Sequence, residues 1–228
     1  MSDAAFARLQ VAFDSILAPL SGSSSLVEAL VNRAFDLFEA NIGTQTAHLP
    51  PLACCKGCPS CCALRVTATA AEIFLIARYV RQIDDSPSGS AVGLSRRITH
   101  ANRATQGLSE AERMARRQPC PFLVRGACIV HPVRPLACRG HASFDRRACA
   151  QAMAGRDVDV PVSAPHLALR GLIQDALRSA LSRAGLVAGL YELNHGLVLA
   201  LGDRTRERDW TLGLDSLEPA GIAMVATA

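Results

Sequence analysis

The cysteines are the residues of this sequence whose type and spacing could do chemistry. There are nine in 228 residues, and five fall close together: Cys54, Cys55, Cys58, Cys61 and Cys62. Two overlapping C-x2-C steps, Cys55 to Cys58 and Cys58 to Cys61, let one turn of backbone aim three thiolates at a common centre. Such steps recur in tetrahedral zinc sites and in iron–sulfur loops. The pattern predicts a metal site whose fourth ligand is Cys62 or a residue further along the chain.

A second set of cysteines, Cys120, Cys128 and Cys138, follows about sixty residues later. Two cysteine loops joined by helices suit one site that clamps two chain segments, because a shared metal orders loops that could not order themselves. The predicted ligand shell is Cys55, Cys58, Cys61, Cys62, Cys120, Cys128 and Cys138. Seven thiols exceed one tetrahedral site, so the number of metals stays open.

Basic residues accompany the second set. Four thiolates around Zn²⁺ or around a 4Fe–4S cluster leave a net charge of about −2. Arg134 and Arg139 are placed to offset this charge and to donate hydrogen bonds to sulfur, a role that tunes such centres. His131 is either a further ligand or a hydrogen-bond donor. Because cysteine ligation suits both metals, the expected cofactor is an iron–sulfur cluster (4Fe–4S) or Zn²⁺.

Two cysteines stay outside this shell. Cys149 reads as a small core hydrophobe, and Cys54 fits that reading as well as a ligand role. A dithiol switch is disfavoured, since the C-x2-C steps lack the βαβ context of a thioredoxin-like motif. The first twenty residues show no secretory signal, which favours a cytoplasmic location where thiols stay reduced.

The elements that must position these residues are predicted to be helices. The expected fold class is all-α, a helical domain with two irregular Cys-rich loops joined at a metal site. Helical patterns cover 4–17, 26–40, 69–83, 91–106, 109–118, 143–154, 165–184 and 187–201. Three of these helices begin with a predicted capping box: Ser25/Glu28, Thr69/Glu72 and Ser109/Glu112. Residues 43–65 and 119–142, rich in Pro, Gly and Cys, are predicted loops.

This pattern divides the chain into a 1–45 helical segment, a 46–150 cysteine-cluster domain, 151–203 helices packing on it, and a 204–228 tail. Half of the residues are apolar, enough for a core, but aromatics make up only 4%. The longest apolar stretch, 186–201, is interrupted by polar residues, so no membrane span is expected. The basic stretch 96–117 lacks aromatic partners and is interpreted as a solvated helix face rather than a nucleic-acid surface.

The joint pattern resembles a known family. Cys55-x2-Cys58-x2-Cys61-Cys62, then Cys120-Pro-Phe-Leu, then the segment from Cys128 to Arg139, is similar to the CxxCxxCC cysteine-cluster family (YkgJ-like) over roughly residues 50–142. That family is described as a zinc- or iron-chelating domain. Its pattern has a helix opening with a Glu soon after the cluster, which Glu72 matches. His131 stands where the family often has an aromatic residue.

The resemblance implies metal binding but little about activity. The first hypothesis is a metal-binding protein acting in redox chemistry, metal handling or modification of a protein partner. The second is a structural zinc module for protein–protein interaction. The third is an enzyme similar to flagellin lysine-N-methylase, although no Gly-rich cofactor loop follows a strand here. Glu192 and His195, three residues apart, read as a polar spot on a packed helix or as a metal-binding pair.

Overall fold

The computed structural model describes residues 3–222 and is mostly helical, which confirms the all-α class. The α-helices are α1 (Asp3–Leu20), α2 (Leu26–Thr46), α3 (Ala70–Asp84), α4 (Pro87–Ser90), α5 (Leu94–Thr105), α6 (Glu110–Arg116), α7 (Leu136–Arg139), α8 (Arg146–Met153), α9 (Ala164–Arg183), α10 (Leu193–Gly202) and α11 (Thr205–Thr211). Short strands β1 (Thr67–Thr69), β2 (Leu123–Val124), β3 (Ala127–Cys128) and β4 (Leu190–Glu192) form antiparallel pairs, β1 with β4 and β2 with β3. Short 3₁₀ turns cover Ser60–Ala63, His131–Val133 and Glu218–Ala220.

The core lies between helices from both ends of the sequence. Helix α1 packs on α2 and α9, α2 packs on α3, and α3 and α5 pack on α10. Side chains such as Phe13, Ile73 and Ile173 are fully buried there, and each contributes about 1.5–3 kcal/mol relative to an exposed position. One continuous core therefore includes parts of all four predicted segments. The boundaries of these segments stay predictions.

Helices α1 and α9 are also linked by polar contacts. Gln10 Nε2 donates to Ser179 Oγ at 2.7 Å. One turn further along α1, Asp14 pairs with Arg183 of α9 at 2.9 Å. Both contacts join residues that are 169 positions apart in the chain.

The pairing of β1 with β4 brings two helix starts together. Ala68 lies opposite Tyr191, and α3 and α10 begin directly after the two strands. Tyr191 is buried and its hydroxyl donates to Asp215 at 2.7 Å. The predicted helix over 187–201 therefore begins too early. It starts only at Leu193, because Glu192 is extended and accepts a hydrogen bond from His195 N at 2.7 Å as the N-cap.

The predicted capping boxes have mixed outcomes. The boxes at Thr69/Glu72 and Ser109/Glu112 are both present. The box at Ser25 is wrong: the Ser25 backbone is already helical and its hydroxyl makes no cap bond. Its oxygen lies 2.8 Å from Ser23 Oγ instead. Helix α2 also extends beyond the predicted range of 26–40, to Thr46.

Helix α5 is held at its start by a carboxylate from the preceding helix. Asp84 Oδ1 accepts from Leu94 N at 2.8 Å, and Oδ2 accepts from Ser95 N at 2.9 Å and from Ser95 Oγ at 2.6 Å. Burial alone would raise the pKa of Asp84, but these hydrogen bonds outweigh it and hold the pKa below its ordinary value. The charge of Asp84 therefore stabilises the start of α5.

The segment after Asp203 carries structure that the sequence pattern does not predict. Helix α11 buries Trp210 completely, and its indole Nε1 donates to Val187 O at 3.0 Å. The last part of the predicted tail, residues 223–228, lies outside the described residues. Among residues 3–222, no helix combines the length and apolar character that a bilayer crossing requires.

Candidate metal centre

The first cysteine loop ends in a tight turn. Gly57 adopts a φ of +86°, a conformation that a β-carbon would strain. Cys62 N donates to Pro59 O at 2.9 Å and closes the 3₁₀ turn that carries Cys61 and Cys62. Strand β1 follows a few residues later, so the paired strand β4 fixes the exit of the loop.

The second cysteine loop is a hairpin followed by a short helix. Strands β2 and β3 are joined by Arg125 and Gly126, whose φ values of 50° and 79° are both positive. Such a two-residue turn matches the twist of the strands. The hairpin places Cys128 in β3, and α7 carries Cys138. Arg97 of α5 holds the hairpin by donating to Leu123 O at 2.6 Å.

The two loops meet at the backbone. Cys120 N, at the start of the second loop, donates to Cys62 O at 2.6 Å. The neighbouring thiols of Cys61 and Cys62 influence each other's protonation. Cys138 lies within electrostatic reach of Cys61, Cys120 and Cys128. The structure thus brings thiols from both loops near one another, while the shared metal site stays a prediction.

Burial and neighbouring thiols control the protonation of this group. Interaction with the Cys62 thiol, with a smaller contribution from the charge of Arg134, lowers the pKa of Cys61 to about 7 against the opposing effect of burial. Interaction with the Cys61 thiol, together with burial, raises the pKa of Cys62. Burial raises the pKa of Cys120 to about 11 and also raises that of Cys138. These three stay protonated at neutral pH unless a cation compensates their charge, and thiolate ligation by a metal would release the protons.

The other two predicted ligands lie at the edge of this group. Cys55 is exposed, and its sulfur lies 3.9 Å from Arg146 Nη1 of α8. Cys58 is half-buried, and its sulfur lies 3.7 Å from Ser60 Oγ. The structure therefore separates the seven predicted ligands into an inner group of five and these two outer thiols.

Cys54 and Cys149 do not occupy the core position that the sequence suggests for them. Cys54 is exposed and its sulfur accepts from Ser143 N at 3.4 Å. Burial raises the pKa of Cys54, and the charges of Cys61, Cys58 and Cys149 add to this effect. Cys149 is half-buried on α8, which packs against the 3₁₀ turn of the first loop. Both thiols thus lie beside the candidate centre.

The positive charge of Arg134 acts on the thiols of the candidate site. Its charge lowers the pKa of Cys61, Cys128 and Cys138. Its Nε is buried without a hydrogen-bond partner, and no carboxylate of the described residues forms a salt bridge with it. A half-buried cation without a carboxylate fits a site that becomes negative when its thiols are deprotonated.

Arg139 has a different role from the predicted one. Its guanidinium pairs with Glu39 at 2.7 Å, donates to Pro132 O at 2.6 Å, and lies 3.8 Å from the Phe35 ring centre. These contacts fasten the second loop to α2. His131 is exposed on its 3₁₀ turn, and partial burial with the two nearby arginines lowers its pKa. Its ring is therefore neutral at neutral pH.

Glu72 lies near the candidate site and makes a long-range contact that the sequence does not predict. It is 1% exposed. Its Oε2 accepts from Thr69 N at 2.8 Å and from Thr69 Oγ at 2.9 Å, and its Oε1 accepts from Leu136 N at 2.8 Å. Burial raises the pKa of Glu72, against the opposing effect of these hydrogen bonds. Glu72 therefore caps two helices at once, α3 and the α7 helix that carries Cys138.

The thiols are near one another without forming a closed ligand shell. Over residues 3–222, no three Cys, His, Asp or Glu side chains are arranged to hold a metal ion in this conformation. All nine cysteines are free thiols. Ligation would therefore require these thiols to come closer together than they lie in this conformation.

Comparison with known proteins adds no relative. No family model, curated protein or solved structure matches this chain significantly. The resemblance to the CxxCxxCC family stays a prediction that rests on the cysteine motifs.

Proposed function

We propose that this chain is a metal-binding protein whose two cysteine loops together hold an iron–sulfur cluster or Zn²⁺. The observation that carries the proposal is the direct junction of the loops, where Cys120 N donates to Cys62 O at 2.6 Å. Cys138 and Cys128 lie close to this junction. Free thiols scattered by chance would have no reason to converge from segments about sixty residues apart.

The surroundings of the thiols support a charged centre. Arg134 offers a half-buried positive charge, and Glu72 fixes the helix that carries Cys138. The proposed ligands are drawn from Cys61, Cys62, Cys120, Cys128 and Cys138, with Cys55 and Cys58 as outer candidates. A 4Fe–4S cluster would supply electron transfer, whereas Zn²⁺ would supply a structural clamp.

Metal analysis of protein purified without oxygen tests the proposal. A brown protein with iron and sulfide in equal amounts indicates a cluster, and a colourless protein with zinc indicates Zn²⁺. The Cys138→Ser variant should lose most of the metal, because Cys138 lies within the inner group. The matched control is Cys149→Ser, a half-buried cysteine outside the two loops, which should keep it.

Two results contradict the proposal. One is wild-type protein that takes up neither zinc nor iron with sulfide after anaerobic reconstitution. The other is a folded Cys138→Ser variant with unchanged metal content. Circular dichroism of each variant separates loss of metal from loss of fold.

A further inference from the structure

A second feature of the molecule is a cleft whose lining includes no cysteine. It has a volume of about 360 Å³ and lies between the α5–α6 connection, the start of α10 and residues 219–222. This volume is at the lower end of small-molecule sites. Its charged and titratable lining residues are Arg65, Arg113, Glu192 and His195.

Arg113 forms the inner wall and is not the solvated residue that the sequence pattern suggests. Its side chain is only 6% exposed. Its Nη2 lies 3.0 Å from Glu192 Oε1, yet neither Arg113 Nε nor that oxygen completes a hydrogen bond. Leaving a buried guanidinium donor without a partner costs about 1–3 kcal/mol or more. The cleft thus holds a cation whose hydrogen-bonding capacity the protein does not fill.

The negative charge of Glu192 is already balanced by Arg113. Its Oε2 caps α10 by accepting from His195 N at 2.7 Å, and its Oε1 faces Arg113. A cation in the cleft would also meet Arg65, whose Nε pairs with Glu110 at 3.0 Å. The Glu192/His195 metal pair that the sequence allows is therefore disfavoured, and an anion is the better match.

The mouth of the cleft adds to this preference. Arg65 is 28% exposed and reaches the cleft from the segment just after the first cysteine loop. His195 is half-buried in the opposite wall. The lining itself holds two arginines and one carboxylate, a formal charge of +1 with His195 neutral, while Glu110 pairs with Arg65 from outside the lining. Arg side chains bind carboxylate and phosphate groups through paired hydrogen bonds.

We infer that this cleft binds a small molecule through an oxyanion, a carboxylate or a phosphate, which Arg113 and Arg65 hold and His195 contacts. The inference does not depend on the metal centre, since the lining includes none of the proposed ligands. The charge of Arg113 also lowers the pKa of Cys120, a small effect against the burial of that thiol.

Titrations monitored by NMR test this site, with inorganic phosphate, succinate and the uncharged analogue succinamide as probes. We expect saturable shifts of the His195 ring signals with phosphate, succinate or both, and none with succinamide. Response to phosphate alone identifies a phosphate ligand, and response to succinate alone a carboxylate ligand. The absence of saturable binding by either anion, or equal binding of succinamide, overturns the inference.

Variants locate the binding. Arg113→Gln and Arg65→Gln should each weaken the anion by about tenfold or more, the loss expected for one charge-assisted hydrogen bond. The matched control is Arg116→Gln, which removes an exposed charge of α6 outside the cleft and should leave affinity unchanged. If Arg113→Gln does not fold, the Arg65→Gln variant still tests the site, because Arg65 is partly exposed. Equal affinity of Arg65→Gln and wild type refutes the assignment.

Discussion

Replacing Glu72 with Ala removes the one carboxylate that caps both α3 and the helix carrying Cys138. Two buried backbone donors, Thr69 N and Leu136 N, then lose their acceptor. Each buried donor without a partner costs about 1–3 kcal/mol. Relief of the buried charge, which raises the pKa of Glu72, offsets part of this cost. We expect a net loss of about 2–4 kcal/mol in the free energy of unfolding.

A matched control exists in the second capping box. Glu112 makes the same two bonds to Ser109, but it is exposed and has no third, long-range bond. A chain of this size loses roughly 2–4 °C in Tm for each kcal/mol. Glu72→Ala should therefore lower the Tm by roughly 4–16 °C, and Glu112→Ala should lower it much less.

Thermal unfolding by circular dichroism measures the global effect, and hydrogen–deuterium exchange measures the local one. The amides of 136–139 should exchange faster in Glu72→Ala and remain protected in Glu112→Ala. Equal Tm losses in the two variants, or unchanged exchange over 136–139, would show that Glu72 does not anchor the second loop.

Three further predictions concern single residues. Asp84 has a lowered pKa when folded, so its stabilising effect is complete above its ordinary pKa of about 4 and is lost as the pH falls through the folded value. Asp84→Asn should lower the Tm at pH 7 and flatten its acid dependence, while the exposed Asp85→Asn should do neither. A β-carbon on Gly140 would lie 2.5 Å from an α9 side chain, so Gly140→Ala should lower the Tm. A β-carbon on Gly171 would meet open space, so Gly171→Ala should raise the free energy of unfolding by about 0.5–1 kcal/mol in denaturant titration. Arg139→Lys should cost about 2–3 kcal/mol in the same titration, because lysine cannot reproduce the paired contacts with the loop and α2; an unchanged midpoint would contradict this role.

The sequence predicts those features that depend on neighbours in the chain. The capping boxes at Thr69 and Ser109 follow from residues three positions apart, and the structure contains both. The Ser25 box fails although its residue types are right, since the chain is already helical there. Residue type permits a cap, but the backbone before the helix decides whether it forms.

Contacts between distant segments are beyond such patterns. Strand β4 exists because β1 pairs with it, and β1 is more than a hundred residues away. The hydrogen bond from Leu136 N to Glu72 and the ion pair of Arg113 with Glu192 likewise join residues that are far apart in the chain. For the two cysteine loops, the sequence predicts proximity on a single ground: one metal would need ligands from both.

The polar contacts between α1 and α9 have a consequence for synthesis of the chain. Arg183 leaves the ribosome 163 residues after the end of α1 at Leu20. At about 5–20 residues per second, the part of α1 that packs on α9 waits roughly 8–30 s for that helix, whereas α2 follows α1 directly. Both cysteine loops emerge within this interval. If they bind metal as proposed, loading of the centre can precede closure of the core, and chaperones have their longest access to the first helix.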